Sequence, residues 1–359
     1  MNNQFTPDYA ISPGEILEEE LELRSMTQRE LSEKTGLSLK HISQIINAKT
    51  SITPNTALLF ERVLGMPARY WLNLEMLYQE ALVRIADKEK LKSHAEWFQK
   101  FPNAILQKLG FTQKYTEVSD KVDNLLRFFG IGSPDDYEVV WREIGVQYRQ
   151  NVRSRICPYS SSAWLRAGEI QAHKINCAPY SQDDFKQALE EIKQFTQETD
   201  PKIFVPKLVE TCSKTGVAVV FVPCFPNTGI SGATRWLSPD KAIIQLSLRY
   251  KTNDHLWFTF FHEAGHILLH GKKSLHLEYN KPSISIDEEA EANEFAQKQL
   301  IPRTVWRQIV EKKMFTEAHI RAIAKELGIA EGIIVGQLQH HGLIPYQALN
   351  HLKVRYTWE

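Results

Sequence analysis

Two histidines and one glutamate stand at a spacing that can hold a metal ion and activate a water molecule. His262, Glu263 and His266 form the pattern H-E-x-x-H inside an apolar, aromatic stretch. Residues four apart on a helix lie one turn apart on the same face, so both imidazoles can reach one zinc ion. Glu263 can then act as the general base towards a water molecule. The pattern therefore predicts a zinc-dependent hydrolytic site.

A zinc site of this kind needs a third protein ligand, and the nearby histidines do not supply one. The tenth position after His262 holds Lys272 instead of a histidine. On an unbroken helix His270 would lie about 12 Å along the axis from His262, which is too far to share the ion. We therefore interpret His270 as a core residue or as a neighbour of the ligands.

An acidic segment downstream can offer a glutamate ligand. Residues 287–301 have helical periodicity with an apolar stripe, and Pro302 ends the helix. Glu289 falls partly on the buried side and is the favoured ligand, whereas Glu288 and Glu291 are the alternatives. Asn293, one turn further on, could hydrogen-bond a ligand histidine.

The two segments together resemble the ImmA/IrrE family of zinc metallopeptidases. The family pattern joins H-E-x-G-H-x-L-x-H to E-x-x-A-N-x-F-A followed by a proline, and both halves are present between residues 216 and 302. The resemblance implies a gluzincin-like domain. It also implies His262, His266 and Glu289 as zinc ligands and Glu263 as the catalytic base.

A second informative stretch lies near the start of the chain and predicts a helix-turn-helix. Thr27 can cap a helix with Glu30 three residues on, and residues 35–37 form a tight turn. Ser38 can cap a second helix over 39–47. The inward face of that helix is formed by Ile42, Ile45 and Ile46.

The outward face of the second helix is polar or basic, which suits base edges and phosphate oxygens. A solvated face on an ordinary helical bundle would look similar. However, residues 11–77 resemble the Cro/C1-type (XRE) module of HigA-like antitoxins, which bind operator DNA as homodimers. The DNA contacts that this resemblance implies are Gln28, Ser38, Lys40, His41 and Gln44.

Composition excludes a generally basic, polyanion-binding protein. The 359 residues contain 43 Lys and Arg against 43 Asp and Glu, so any DNA contact must come from a local patch. The four cysteines are scattered without C-x-x-C spacing, which favours reduced thiols. Because the sequence contains neither a secretory signal pattern nor a long apolar run, we expect a cytoplasmic protein that does not bind membranes.

The expected fold is mainly α with a small β-sheet (α+β). We predict strands over 216–223, 232–237 and 242–247. The predicted domains are a helix-turn-helix domain at 1–80, a helical connector at 81–200, a peptidase domain at 201–305 and a C-terminal helical segment at 306–359.

These features lead to the expectation of a DNA-binding regulator with a zinc endopeptidase domain that cleaves a repressor or toxin. Residues 232–236 are the candidate edge strand for an extended substrate, with a purely structural sheet as the alternative. Arg235 or Tyr250 could stabilise an oxyanion, and the sequence does not select between them. The first alternative is an antitoxin-like repressor whose zinc site is structural or sensory. A second alternative is a plain peptidase whose helix-turn-helix binds protein.

Overall fold

The fold is mainly helical with one three-stranded sheet, as predicted from the sequence. The computed structural model describes residues 9–142, 157–247, 249, 251–270 and 286–357. These residues form two compact units, one within 1–96 and 115–123, the other within 97–114 and 124–359. The predicted domain limit at residue 80 falls inside a helix of the first unit, and the limits at 200 and 305 fall inside the second unit.

The helices alternate with short turns along most of the described chain. Up to residue 142 they are α1 Pro13–Leu23, α2 Gln28–Thr35, α3 Leu39–Ile46, α4 Pro54–Leu64, α5 Ala68–Lys92, α6 Ala95–Gln99, α7 Asn103–Lys108, α8 Val118–Phe129 and α9 Pro134–Tyr137, followed by the π-helical turn Glu138–Arg142. After residue 157 they are α10 Pro158–His173, α11 Gln182–Phe195, α12 Pro201–Ser213, α13 Asn253–Leu269, α14 Ile286–Leu300, α15 Arg303–Glu311, α16 Glu317–Leu327 and α17 Glu331–His340, with a 3-10 turn at Asn350–Leu352.

The first unit has its own core, built by α1 to α5. Leu17, Leu31, Phe60 and Trp71 are fully buried in it. Gly14 is required in α1 because a side chain there would collide with the backbone carbonyls at the end of α3. The close approach holds α3 firmly against α1.

The second unit is organised around a sheet of β1 Val217–Phe221, β2 Gly232–Ser238 and β3 Lys241–Leu246. The strand order is β1-β3-β2, with β1 parallel and β2 antiparallel to β3. Within the described residues β2 is therefore an edge strand, as the sequence analysis proposed for residues 232–236. All three predicted strands are present.

Helix α10, which lies in the predicted helical connector at 81–200, packs on one face of this sheet. Gln245 on β3 donates to the carbonyl of Trp164 at 2.6 Å, and the indole of Trp164 donates to Val222 O at 3.2 Å. Gly168 leaves room for the Gln245 side chain. Propensity along the chain could not reveal this packing, because it depends on contacts between residues far apart in sequence.

The opposite face of the sheet carries α13, whose first turn is tied to residues 353–356, named here the C-terminal clasp. Asn253 N donates to Val354 O at 2.9 Å, and the Trp257 indole donates to Tyr356 Oη at 3.0 Å. Tyr356 is buried, whereas Tyr346 is 67% exposed.

Helix α17 packs closely beside the same turn of α13. A Cβ at Gly336 would lie only 2.6 Å from Asp254 Oδ2, and one at Gly332 only 2.5 Å from Asn253 Oδ1. The two glycines lower the helix propensity of α17, but they allow this approach. The C-terminal helical segment therefore packs directly against α13.

Replacing Lys353 by Met is expected to destabilise the second unit. Lys353 Nζ lies 2.6 Å from Asp254 Oδ2, and both side chains are largely buried. Removing one partner leaves a buried carboxylate without its counter-charge, at a cost of about 3–5 kcal/mol. Native-state hydrogen exchange of the α13 amides measures the loss of stability.

As a control, Lys214→Met removes an exposed pair with Glu210 and should leave α13 protection unchanged. Equal protection in both variants would contradict the prediction.

Two further expectations concern thiols and membranes. All four cysteines are free, in line with the expected reduced state. None of the helices among the described residues is long and apolar enough to cross a lipid bilayer.

Candidate metal centre and DNA-binding helix

The structure brings together the three side chains that the sequence proposed as zinc ligands. His262 and His266 extend from α13 towards Glu289 on α14, and their ligand atoms all lie within 4.8 Å of one another. The two Nε2 atoms are 3.1 Å apart. Glu289 Oε2 is 3.4 Å from His262 Nε2, and Oε1 is 3.6 Å from His266 Nε2.

This triangle of donor atoms fits a zinc ion. Tetrahedral zinc with bonds of about 2.0–2.2 Å holds neighbouring ligand atoms about 3.3–3.6 Å apart. Two imidazoles and one carboxylate are also the donor set of one known class of catalytic zinc sites. Among the described residues no fourth His, Cys, Asp or Glu joins this group.

Small residues let the two ligand-bearing helices approach each other. A Cβ at Gly265 would lie 3.1 Å from Phe295 Cδ1 and 3.3 Å from Ala292 Cα. Ala292 and Ala296 are fully buried, as the apolar stripe predicted. The close contact allows a short glutamate side chain on α14 to reach the histidines of α13.

The alternative glutamates occupy different positions. Glu291 Oε2 lies 3.1 Å from His270 Nε2, so this carboxylate faces the third histidine instead of the triangle. Glu288 is also outside the group of three. Asn293 lies near His262 and contributes to raising its pKa, but the buried Nδ1 atom of His262 has no hydrogen-bond partner among the described residues.

The electrostatics of His266 and Glu289 favour metal binding. Burial and the neighbouring His262 lower the pKa of His266 to about 4, so its imidazole is neutral at physiological pH. Burial alone would raise the pKa of Glu289, but the hydrogen bond and charge of His262 hold it below its usual value. Burial would lower the pKa of His262, but Glu289 and Glu263 hold it above its usual value, so a metal ion bound there must displace a proton. A carboxylate and a neutral imidazole are the forms that ligate zinc.

Glu263 lies between the triangle and the edge strand β2. Its carboxyl group is buried, which raises its pKa to about 7, although His262 opposes this effect. Thr234 on β2 donates to the Glu263 carbonyl oxygen at 3.2 Å. A Cβ at Gly232 would lie 2.6 Å from Glu263 Oε1, so the glycine leaves space for the carboxylate. A carboxyl group with a pKa near neutrality suits proton transfer.

Arg235 does not face this site. Its guanidinium lies 2.8 Å from Glu169 Oε2 and donates to Leu165 O at 2.9 Å, both on α10. Alternation along β2 places Arg235 on the face opposite to Gly232 and Thr234. The structure therefore gives no support to Arg235 as an oxyanion donor, and Tyr250 lies outside the described residues.

The helix-turn-helix has the local structure that its capping residues predicted. Thr27 and Glu30 form a reciprocal capping box, and Gly36 adopts the left-handed conformation that ends α2. Ser38 Oγ accepts from His41 N and begins α3. The isoleucines Ile42, Ile45 and Ile46 are buried as predicted.

The side chains inferred to contact DNA differ in exposure. Ser38 and Lys40 are exposed, and Gln28, His41 and Gln44 are half-buried. Because the three isoleucines face inward, the polar side chains of α3 lie on its opposite side. This arrangement supplies a polar surface with one lysine, suited to phosphate and base contacts.

Sequence reasoning missed the residues around Glu263. Gly232 and Thr234 were recognised as strand residues, but only the order β1-β3-β2 brings their strand beside α13. A glycine at the start of a predicted edge strand was the one available signal.

The fold and the two sites define a chain that joins a helix-turn-helix module to a metallopeptidase-like domain. Comparisons with known families agree with this class. Residues 17–71 match the helix-turn-helix family model, and residues 212–338 match the model of the IrrE N-terminal-like domain, a peptidase family. The N-terminal part of the chain therefore belongs to the XRE-type helix-turn-helix family. The match of residues 212–338 agrees with the resemblance to the ImmA/IrrE family that the sequence showed.

Three similar proteins match the N-terminal module of this chain. A virulence-associated protein I from Dichelobacter nodosus is 34% identical over 82 residues, which are 23% of this chain and 73% of that protein. An addiction-module antidote protein of the HigA family from Coxiella burnetii is 32% identical, with a TM-score of 0.22, over 23% of this chain and 92% of that one. The Pseudomonas aeruginosa antitoxin HigA, solved with the higBA promoter, is 24% identical, with a TM-score of 0.23, over 24% of this chain and 94% of that one.

Proposed function

We propose that this chain is a DNA-binding regulator whose zinc-dependent peptidase domain cleaves a regulatory protein, a repressor or a toxin-like partner. The observation that carries the proposal is the triangle of His262, His266 and Glu289 beside the buried carboxyl of Glu263. The helix-turn-helix would bind operator DNA as a homodimer. A cytoplasmic location follows from this role, since that is where an operator is accessible.

The proposed reaction is hydrolysis of a peptide bond. His262, His266 and Glu289 would hold zinc, which would supply Lewis-acid activation of a water molecule and of the scissile carbonyl. Glu263 would accept the proton of the attacking water and deliver it to the leaving amine. A pKa of about 7 suits Glu263 both for accepting a proton from water and for donating it to the leaving amine.

The edge strand β2 offers a binding surface for the substrate. An extended peptide can add to an exposed sheet edge through main-chain hydrogen bonds. Since Gly232 on β2 lies next to Glu263, a peptide bound there would have its backbone near the catalytic carboxylate. The close contact between Gly232 and Glu263 also explains why β2 begins with a residue that has no side chain.

Metal analysis of the purified full chain tests the zinc site. We expect about one zinc per chain in the wild type and its loss in His262→Ala, because two donors do not make a stable site. His173→Ala, which changes a histidine paired with Glu169 on α10, is the matched control and should keep the metal. A wild-type chain free of zinc would refute the peptidase proposal.

A terminal-labelling proteomic comparison of cells carrying wild type or Glu263→Gln identifies the substrate. Cleaved protein termini should appear only with the wild type if the zinc site is catalytic. Identical termini in a chain that keeps its zinc would favour the alternative of a repressor with a structural or sensory zinc ion.

Lys40→Ala is expected to weaken DNA binding. Lys40 is exposed on α3, where an ammonium group can neutralise a phosphate. Loss of one such contact should make the slope of the logarithm of the binding constant against the logarithm of salt concentration shallower by about 1. Mobility shift with duplex DNA selected from a random pool measures the affinity, with Lys88→Ala on α5 as the control. Equal binding by the two variants would refute the assignment of α3 as the reading helix.

A further inference from the structure

A line of hydrogen bonds extends from one zinc ligand to the surface of α14. His266 Nδ1 lies 3.0 Å from His270 Nδ1. The other nitrogen of His270, Nε2, lies 3.1 Å from Glu291 Oε2. His266 points its Nε2 into the ligand triangle, so the line begins on the ring atom opposite to the ligand atom.

Only one arrangement of protons satisfies this line when His266 ligates through Nε2. A neutral imidazole that ligates through Nε2 carries its proton on Nδ1. His266 Nδ1–H then donates to His270 Nδ1, which must be unprotonated. His270 therefore carries its own proton on Nε2 and donates it to the Glu291 carboxylate. Every ring nitrogen has one role, and neither imidazole needs a charge.

These hydrogen bonds also connect α13, which carries the two histidines, to α14, which carries Glu289. His270 caps α13 one turn after His266, and Glu291 lies two residues after the ligand Glu289 on α14. The His270 side chain is 14% exposed and that of Glu291 62% exposed. The inner bond is thus shielded, while the outer carboxylate remains in contact with solvent.

We infer that His270 and Glu291 are positioning residues for the metal site, which hold His266 in the tautomer and ring orientation that present Nε2 to zinc. The inference rests on the zinc site of the proposed function. Partners that hydrogen-bond a ligand histidine raise metal affinity by about 10–100-fold. His270 would orient the ligand His266 without binding zinc itself. Glu291 would orient His270, although it is not the ligand glutamate.

Zinc affinity of the full chain, measured by competition with a chromophoric chelator, tests the inference. His270→Leu removes both bonds, and we expect zinc binding about 10–100-fold weaker than in the wild type. His270→Asn keeps an oxygen close to the position of Nδ1, so most of the affinity should return. Glu291→Ala should weaken binding, whereas Glu291→Gln, which retains an acceptor oxygen, should weaken it less.

A double-mutant cycle and cobalt spectroscopy separate positioning from a general structural effect. Adding Glu291→Ala to His270→Leu should cause little further loss, because the line is already interrupted. The visible absorption of the cobalt-substituted chain should shift in His270→Leu, since the orientation of a ligand ring has changed. Hydrogen exchange of the metal-free variants checks that the fold is intact.

The chain offers a matched control in another histidine–glutamate pair. His351 Nε2 lies 2.9 Å from Glu317 Oε2, away from the ligand triangle, and His351→Leu should leave zinc affinity and the cobalt spectrum unchanged. Wild-type affinity in His270→Leu and Glu291→Ala would overturn the inference and leave the proposed function intact. A wild-type chain that binds no zinc would overturn both.

Discussion

Under the proposed peptidase function, Glu263→Gln should abolish proteolysis while the chain keeps its zinc. The amide has nearly the same shape as the carboxyl group but cannot accept the proton of the attacking water. Loss of a general base lowers the rate by about 10²–10⁴-fold. Glu263 does not belong to the ligand triangle, so metal content should stay at the wild-type value. Cleavage of a substrate found by terminal labelling, measured beside zinc content, checks both statements.

The matched control for this variant is Glu294→Gln. Glu294 lies on α14 but pairs with Arg303 and Lys298 at the surface, so its loss should leave cleavage unchanged. Cleavage by Glu263→Gln at the wild-type rate would exclude Glu263 as the base. Loss of zinc together with activity would instead show that the residue supports the metal site itself.

Gly232→Ala should lower proteolysis strongly without loss of zinc. The added methyl group would lie 2.5 Å from Thr259 Cγ2 and 2.6 Å from Glu263 Oε1, so the carboxylate must move. A displacement of about 1 Å in a catalytic group can reduce the rate about 100-fold. The same methyl group would also narrow the approach of a substrate to β2. Cleavage kinetics, with zinc content determined in parallel, measure the effect.

Two further variants make this second prediction specific. Thr259→Ser removes the methyl group that meets the new side chain, so the double variant should recover part of the activity. Gly132→Ala introduces the same methyl group where its nearest contact is an ordinary 3.4 Å, and it should have no effect. Full activity of Gly232→Ala would show that the strand and Glu263 are not coupled.

The local features of both sites could be predicted from sequence because short-range chemistry determines them. The capping box of Thr27 and Glu30 begins α2, and Gly36 ends it, as the residue types indicated. Likewise, the four-residue spacing of His262 and His266 is a helical repeat, which places both imidazoles on one face of α13 whatever the rest of the fold does. The apolar stripe of α14 was sufficient to favour Glu289 over its neighbours.

Features that depend on distant contacts could not be predicted in this way. Gly232 lies about thirty residues before Glu263, and its proximity depends on the strand order, which alternation alone does not determine. His270 was interpreted as a core residue or a neighbour of the ligands, and Glu291 as an alternative ligand, but the contact between them was not predicted. Their mutual contact needs the packing of α13 on α14, which small residues at Gly265 and Ala292 permit.

The C-terminal clasp has a consequence for the order in which the protein is made. Trp257 and its partner Tyr356 are 99 residues apart in sequence. At about 5–20 residues per second, a ribosome needs several seconds to add such a length. The core of the first unit lies within α1 to α5, so a nascent chain would complete it before the clasp is made. In the interval the first turns of α13 would lack Tyr356 as a hydrogen-bond partner.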